Sequence, residues 1–333
     1  MKKILISLFL TMLLTGCTNT TYENGEVNVL NWSSYIPNDI ISDFEKEYNI
    51  KVNYATYSSN EELLAKITSS KKGTYDLIFP SDYMVELMKN KNIIQKIDKT
   101  KINNYNKINK IFLNQSYDLN NDYSLPFLAA TVVIAVNREN IKDNINSYND
   151  LLNENYKNNI VLLDDQRIMI GISLLASGYN MNEIEENKLK IAKNWLLDLK
   201  DNVKAFDSDS PKTFLITNEV DIGIMWNAEA TIAKEYNKNI EIIYPNDGHA
   251  ISIDNYVITK DAKNIDNAYL LIDYLLRDDV SKKIVEDYPY ISSNYKANNM
   301  TNKELMKIFN NGSYVKNIGN SISLYDKLWA DIK

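Results

Sequence analysis

Val27-Asn28-Val29-Leu30-Asn31-Trp32-Ser33-Ser34-Tyr35-Ile36-Pro37 is the stretch on which the fold turns. Val27, Val29 and Leu30 have the spacing of a buried strand. Pro37-Asn38-Asp39 opens a helix with Ile40, Ile41, Phe44 and Tyr48 at its apolar positions. The residues between, Asn31 to Tyr35, form a strand-to-helix loop at a carboxyl strand end, where open α/β sheets bind ligands. Amphipathic spacing requires neither Trp32 nor Tyr35 there; packing the loop down is the other use for both rings.

Outward from this unit the pattern recurs. Lys51 to Tyr57 alternates Val52, Tyr54 and Tyr57 as a second strand, and a helix from about Asn60 carries Leu63, Leu64 and Ile67. Tyr75 to Phe79 is a short apolar strand ending at Pro80-Ser81-Asp82-Tyr83, before a helix with Met84, Leu87 and Met88. Three strand–helix units in a row predict a parallel, doubly wound sheet. Asp122 to Asn137 is extended and apolar, long enough to leave one lobe and enter another. Ile160 to Leu163 is a strand ending in Asp164-Asp165-Gln166-Arg167-Ile168, followed by a helix with Ile172, Leu174 and Leu175. Val220 to Trp226 is a buried strand, after which Asn227 caps a helix with Glu229 in its first turn. Ile251 to Ile258, with Asp254 in it, leads back to the first lobe and to helices at about Asp266–Arg277 and Asp279–Tyr288, with Tyr290 in the next loop. Trp195 and Trp329 lie on apolar helical stripes and are assigned to the core.

Residues 1–16 stand apart from the fold. Lys2 and Lys3 precede an apolar run from Ile4 to Leu14, which fits a signal-peptide core and is too short to span a bilayer. Leu14-Thr15-Gly16-Cys17 resembles a bacterial lipobox, so Cys17 is expected to be acylated and to become the mature N-terminus; cleavage without lipid is the alternative. Cys17 is the only cysteine, which excludes an intrachain disulfide. Residues 17–25 read as a polar tether. Removing the two lysines takes the formal charge from −7 to −9, and this acidic balance argues against nucleic-acid binding.

Catalytic and metal motifs are missing. The single histidine, His249, has no companion and reads as a loop residue beside Gly248. Gly-x-Ser-x-Gly, His-Glu-x-x-His, Cys-x-x-Cys, Walker A and Gly-x-Gly-x-x-Gly do not occur. Asp207-Ser208-Asp209-Ser210 imitates the start of a calcium loop but lacks the third ligand and the Gly. No cofactor is expected. Only three arginines are present, Arg138, Arg167 and Arg277, whereas carboxylate and phosphate binders rely on Arg forks. Strand ends bearing Trp, Tyr, Ser and acids suit an ammonium ligand instead, with ~0.5–2 kcal/mol per well-placed ring.

Taken in order, these motifs resemble the spermidine/putrescine-binding proteins of bacterial ABC transporters, almost end to end. The resemblance rests on Asn31-Trp32-Ser33-Ser34-Tyr35, Pro80-Ser81-Asp82-Tyr83, Leu163-Asp164-Asp165-Gln166-Arg167, Trp226-Asn227, Asp254 and Tyr290 with Asn294. It implies a two-lobed periplasmic-binding-protein fold of type II, each lobe a mixed α/β sheet flanked by helices, with the ligand cleft between them. Lobe 1 would hold residues 26–129 and 253–298, and lobe 2 residues 130–252 and 299–333. Crossings are expected near Phe127–Thr131, near Ser252–Asn255 and after about Tyr290. The implied function is extracytoplasmic capture of a di- or polyamine by a monomeric, lipid-anchored protein that delivers it to a permease and its ATPase, with no bond broken. A sensing lipoprotein, a binder of another small cation and a surface protein with a decayed pocket are the alternatives. The implied ligand residues are Trp32, Ser33, Tyr35, Ser81, Asp82, Tyr83, Asp165, Ser208, Trp226, Glu229, Asp254 and Tyr290.

The carry-over has gaps. Spermidine binders carry acids where this chain has Ser34 and Ile168, an aromatic residue where it has Ser252, and a glutamine where it has Val315. Glu229 stands where putrescine binders have an aspartate. Fewer acids suit a short, two-headed amine, so putrescine is expected over spermidine. Asp82 and Glu229 also fall in first helical turns, and Asp165 could cap its helix, roles that need no ligand.

Overall fold

A computed structural model describes residues 21–33 and 35–333. The first strands and helices are β1 (Glu26–Trp32), α1 (Asn38–Tyr48), β2 (Lys51–Tyr57), α2 (Asn60–Ser69), β3 (Leu77–Ile78) and α3 (Asp82–Asn90). After three short 3-10 turns come β4 (Leu125–Asn137), β5 (Ile160–Leu162), α4 (Gln166–Ala176), α5 (Glu186–Leu199) and β6 (Val203–Phe206). Next are α6 (Lys212–Ile216), β7 (Ile222–Trp226), α7 (Asn227–Tyr236), β8 (Ile240–Ile243) and β9 (His249–Ile258). The chain ends with α8 (Ile265–Leu275), α9 (Asp278–Asp287), β10 (Ile291–Ser292), α10 (Asn302–Asn311), β11 (Gly312–Tyr314) and α11 (Ile322–Ile332).

The strands run in the order β2-β1-β3-β9-β4-β7-β5-β6. β1 pairs in parallel with β2 and with β3, while β9 runs antiparallel to both β3 and β4. Every residue of β4 is buried, as its apolar run dictates. Its first half, Leu125 to Thr131, pairs with β9; from Val132 it pairs with β7 and β8 instead. The cores divide at the same place. Leu125, Phe127 and Ala129 pack with Val27, Phe44 and Leu77, whereas Val132, Ile134 and Val136 pack with Ile160, Leu174 and Trp195. β9 divides between Ala250, in the second core, and Ile251, in the first. This is a two-lobed α/β architecture, each lobe with its own buried core.

Several elements differ from their sequence reading. β1 extends through Asn31 to Trp32, because the parallel register with β2 continues to Trp32 opposite Tyr57. β3 shrinks to two residues, since Asp76 turns its carboxylate to Asn28 and Asn264 and Ser81 joins β9 only by an isolated bridge to Asp254. Asn227 does not cap α7; its Oδ1 accepts from the Thr131 amide at 2.9 Å. Helix α10, placed with the second lobe by sequence, buries Leu305, Ile308 and Phe309 in the first-lobe core, with the Phe309 ring edge-on to Phe112 at 5.0 Å. The chain returns to the second core only at Val315, after β11 has paired in parallel with the start of β9.

The expected tether is docked from Tyr22 onward: its hydroxyl donates to Glu45 at 3.0 Å, and Gly25 accepts from the Lys51 amide. His249 opens β9 and is fully buried against Tyr244, and burial holds its pKa down to about 4. Trp195 is buried and donates to Asn149, and Trp329 is half-buried against Phe206. Residues 1–16, Cys17 and Ser34 lie outside the described residues. Among those described, no helix is long and apolar enough to cross a membrane, and no cluster of acids, His or Cys suits a metal.

Candidate ligand-binding site

Asp254 is the centre of the arrangement. It sits in the middle of β9, opposite Leu128 of β4, and is 4% exposed. Ser81 donates its hydroxyl to Oδ1 at 2.6 Å, and the Tyr35 hydroxyl donates to Oδ2. Ser81 is itself clamped by Asn60, whose Nδ2 donates to the hydroxyl at 3.1 Å and whose Oδ1 accepts from the Ser81 amide at 3.2 Å. No lysine or arginine pairs with Asp254 among the described residues. Burial pushes its pKa up to about 6, and the Ser81 and Tyr35 hydroxyls, with a smaller contribution from the Trp32 indole, hold it from rising further. A buried carboxylate with donors on both oxygens but no counter-charge is poised for a cation.

Aromatic rings surround this group. Trp32 lies 4.5 Å from the Tyr57 ring and 6.4 Å from the Tyr35 ring, and Tyr290 lies 4.9 Å from Tyr35. Trp32 Nε1 and the Tyr57 hydroxyl both donate to the Phe79 carbonyl, at 3.0 and 2.6 Å, which fixes the two rings. Asp82 is adjacent and nearly inaccessible. Its Oδ1 accepts from the Tyr83 amide at 2.8 Å, while Oδ2 has no hydrogen-bond partner among the described residues. Burial, and then the Asp254 charge, push the Asp82 carboxyl well above the usual range. Two acids this close and this dry do not both ionise readily.

Tyr83 packs against core residues of both lobes. Its hydroxyl donates to Glu61 on α2 at 3.1 Å. Burial, followed by the charges of Glu61 and Asp165, raises the Tyr83 pKa. Asp165 caps α4, accepting from the Ile168 amide at 3.0 Å, and burial raises its pKa. The capping role therefore holds whatever else Asp165 does.

Trp226 ends β7 opposite Val132, half-buried on the second-lobe core. Three residues on, Glu229 is bound by an ammonium of the chain itself. Lys212 donates to its Oε1 and Oε2 at 2.9 and 2.7 Å. Ser33 is exposed and joined only through its amide, to the Tyr57 carbonyl. Ser208 is exposed in a turn held by Asp207, apart from these groups. Of the departures from the spermidine pattern, Ile168 and Val315 are buried in the second-lobe core. All three arginines are engaged elsewhere: Arg138 with Glu241, Arg167 with the Lys316 carbonyl and the Tyr325 face, and Arg277 with Glu47 and Asp279.

The structure thus brings together Trp32, Tyr35, Ser81, Asp82, Asp254 and Tyr290, with Tyr83 and Asp165 at the junction of the lobes. It leaves Ser33 and Ser208 outside. Sequence reading missed Asn60, Glu61 and Lys212. Asn60 and Glu61 follow Ser59 as an ordinary capped helix start, and Lys212 sits in a polar turn with no pattern to mark it.

Residues 39–307 match the family described as bacterial extracellular solute-binding protein. The chain is 34% identical over 321 residues to the spermidine/putrescine-binding periplasmic protein of Escherichia coli, covering 93% of this chain and 92% of that one. It belongs to the spermidine/putrescine-binding branch of these proteins. Its fold superimposes on the TpPotD lipoprotein of Treponema pallidum with a TM-score of 0.84 at 26% identity, over 92% of this chain and 99% of that one. The spermidine/putrescine ABC transporter substrate-binding protein PotD of Streptococcus pneumoniae gives 0.82 at 29% identity, over 92% and 98%.

Proposed function

We propose that this protein captures a di- or polyamine, a short diamine of the putrescine class foremost, outside the cytoplasm and hands it to a permease driven by an ATPase. The observation that carries the reading is Asp254. It is a buried carboxylate with two hydroxyl donors, no basic partner among the described residues and a wall of Trp32, Tyr35 and Tyr290. One ammonium of the ligand pairs with Asp254, the rings take its methylenes, and the far ammonium lies toward Asp165 and Glu61 beside Tyr83. The likeness to the spermidine/putrescine-binding protein of E. coli supports the substrate class.

The lobes comprise 26–131 with 251–314, and 132–250 with 315–333, and they close on the ligand by bending where β4 and β9 pass between them and the chain leaves β11. Lipidation of Cys17 is part of the proposal; the Treponema neighbour is itself a lipoprotein, which is consistent with it. Replacing Cys17 by Ser is expected to release the protein from the membrane fraction, and retention would refute anchoring. Titration calorimetry of the soluble form with putrescine, cadaverine, spermidine, spermine and an amino-acid panel tests the ligand. Heat from amines alone is expected; tight binding of an anion with none for any amine overturns the reading.

A further inference from the structure

Asn60 is the first residue of α2, and Ser59 already caps that helix, its hydroxyl accepting from the Glu62 amide at 3.1 Å. The helix therefore makes no use of the Asn60 amide, which is buried and spends both of its ends on Ser81. Proton bookkeeping fixes how the two groups meet. The Ser81 backbone N–H can only donate, so the amide oxygen must face it, at 3.2 Å, and this turns Nδ2 toward the Ser81 hydroxyl at 3.1 Å. The hydroxyl oxygen is then an acceptor on that side. Its single proton goes to its other neighbour, Asp254 Oδ1 at 2.6 Å. The donor to Oδ2 has no such clamp: the Tyr35 hydroxyl has no second hydrogen-bond partner among the described residues and can turn to accept.

We propose that Asn60 is a positioning residue of the site: it locks Ser81 as a one-way donor to Asp254 and so keeps this carboxyl in the anionic form that an ammonium requires. A free hydroxyl serves either form, donating to a carboxylate or accepting from an acid, whereas a locked one serves only the carboxylate. The role rests on the amine-binding reading above and names the residue that sets the pH range of that site. The titratable groups facing Asp254 are Tyr35 from the loop after β1, Tyr57 at the end of β2, Tyr290 before β10 and Asp82 at the start of α3; β4 presents Leu128. Burial keeps the three tyrosines neutral throughout the acid range. Asp82 titrates with Asp254 as a pair and is the same in every variant below.

The test is a double-mutant cycle of Asn60→Ala and Ser81→Ala, read as the pH midpoint of putrescine affinity in calorimetry between about pH 5 and about pH 8.5. Asn60→Ala is expected to move the midpoint up by about 0.5–1 pH unit, which is about three- to tenfold weaker binding on its acid side. In the Ser81→Ala background the same substitution is expected to add no further shift, because the hydroxyl through which it acts is gone. Weakening that is equal at every pH, or a shift as large without the hydroxyl as with it, overturns the proposal. Asn60→Asp covers the case in which Asn60→Ala fails to fold. It keeps an acceptor for the Ser81 amide but draws the hydroxyl proton to itself, so its upward shift is expected to shrink in the Ser81→Ala background; an undiminished shift again overturns the proposal. Carbon-13 titration of the Asp254 carboxyl, identified by its loss in Asp254→Asn, reads the same shifts in the empty protein. A parent that binds no amine therefore overturns the functional reading, and the carboxyl titration still decides whether Asn60 controls Asp254.

Discussion

Replacing Asp254 by Asn separates the site's contribution to binding from its cost to the fold. The Asp254 carboxyl is raised by burial from 3.8 to about 6. A shift of about 2 units at ~1.36 kcal/mol each means that the ionised group destabilises the empty protein by about 3 kcal/mol at neutral pH. The sign follows from the direction of the shift. With the folded pKa above the unfolded one, the favourable contribution is fully present below the unfolded pKa and is lost as pH rises through the folded pKa. Asn carries no charge at any pH, so it escapes that loss. It also forces the Tyr35 or Ser81 hydroxyl to turn and accept from its amide, a cost that is the same at every pH. The stability difference between variant and parent should therefore grow by about 2 kcal/mol between about pH 4.5 and about pH 7.5. Urea unfolding of both proteins without ligand at the two pH values measures it. The same variant should lose roughly 2–5 kcal/mol of amine affinity, as expected for truncating one side of a buried charge pair. A stability difference that does not change with pH would refute the claim that Asp254 is buried, charged and uncompensated.

Two further outcomes follow from the geometry. Ser81→Ala removes the 2.6 Å donor to Asp254, so the carboxyl pKa should climb further. The acid limb of amine affinity, centred near about 6, should then move up by roughly 1–2 pH units, read from affinity against pH. Gly312→Ala would place a Cβ 1.9 Å from Ile251 Cδ1 and 2.5 Å from its Cγ1, where β11 meets β9. It should cost ~1–3 kcal/mol in urea unfolding, and a variant as stable as the parent would show that this crossing is loosely packed.

Much of the fold was legible because period and punctuation agree with packing. The alternation over Lys51–Tyr57 coincides with β2, and the long apolar run after Asp122 is the buried strand shared by both lobes. What periodicity conveys is that a face is buried, not what it is buried against. That is why the apolar face of α10, Leu305, Ile308 and Phe309, does not reveal from sequence that its neighbour is the first-lobe core. His249 reads as a loop residue because the turn at Gly248 is visible in sequence and the start of β9 is not. In the site, strand-end Ser and Tyr residues stood out because no amphipathic pattern wants them there. Glu61 and Glu229 both look like helix-dipole acids, and only the fold shows that one faces Tyr83 and the other is held by Lys212. A pairing between Lys212 and Glu229 leaves no trace in a sequence whose lysines are abundant.

The position of β9 between β3 and β4 also governs the order in which the molecule can assemble. The strands and helices from Val132 to Ala250 supply most of the second core, and they are bracketed by Thr131 and Ile251, which are paired neighbours in the ladder. The larger part of that lobe is topologically an insertion with adjoining ends, to which Val315 and α11 are added from the C-terminal end of the chain. β1, β2 and β3 meanwhile wait with an open β3 edge until residues 251–258 arrive. Contacts this remote in sequence form slowly, because the chain between them must first be ordered. The Ser81–Asp254 bond spans 173 residues and belongs to that late step. Amine binding should consequently return only with the slowest phase of refolding, after most helical signal has recovered. The ligand site is in this sense a reporter of whether the first lobe has closed its sheet.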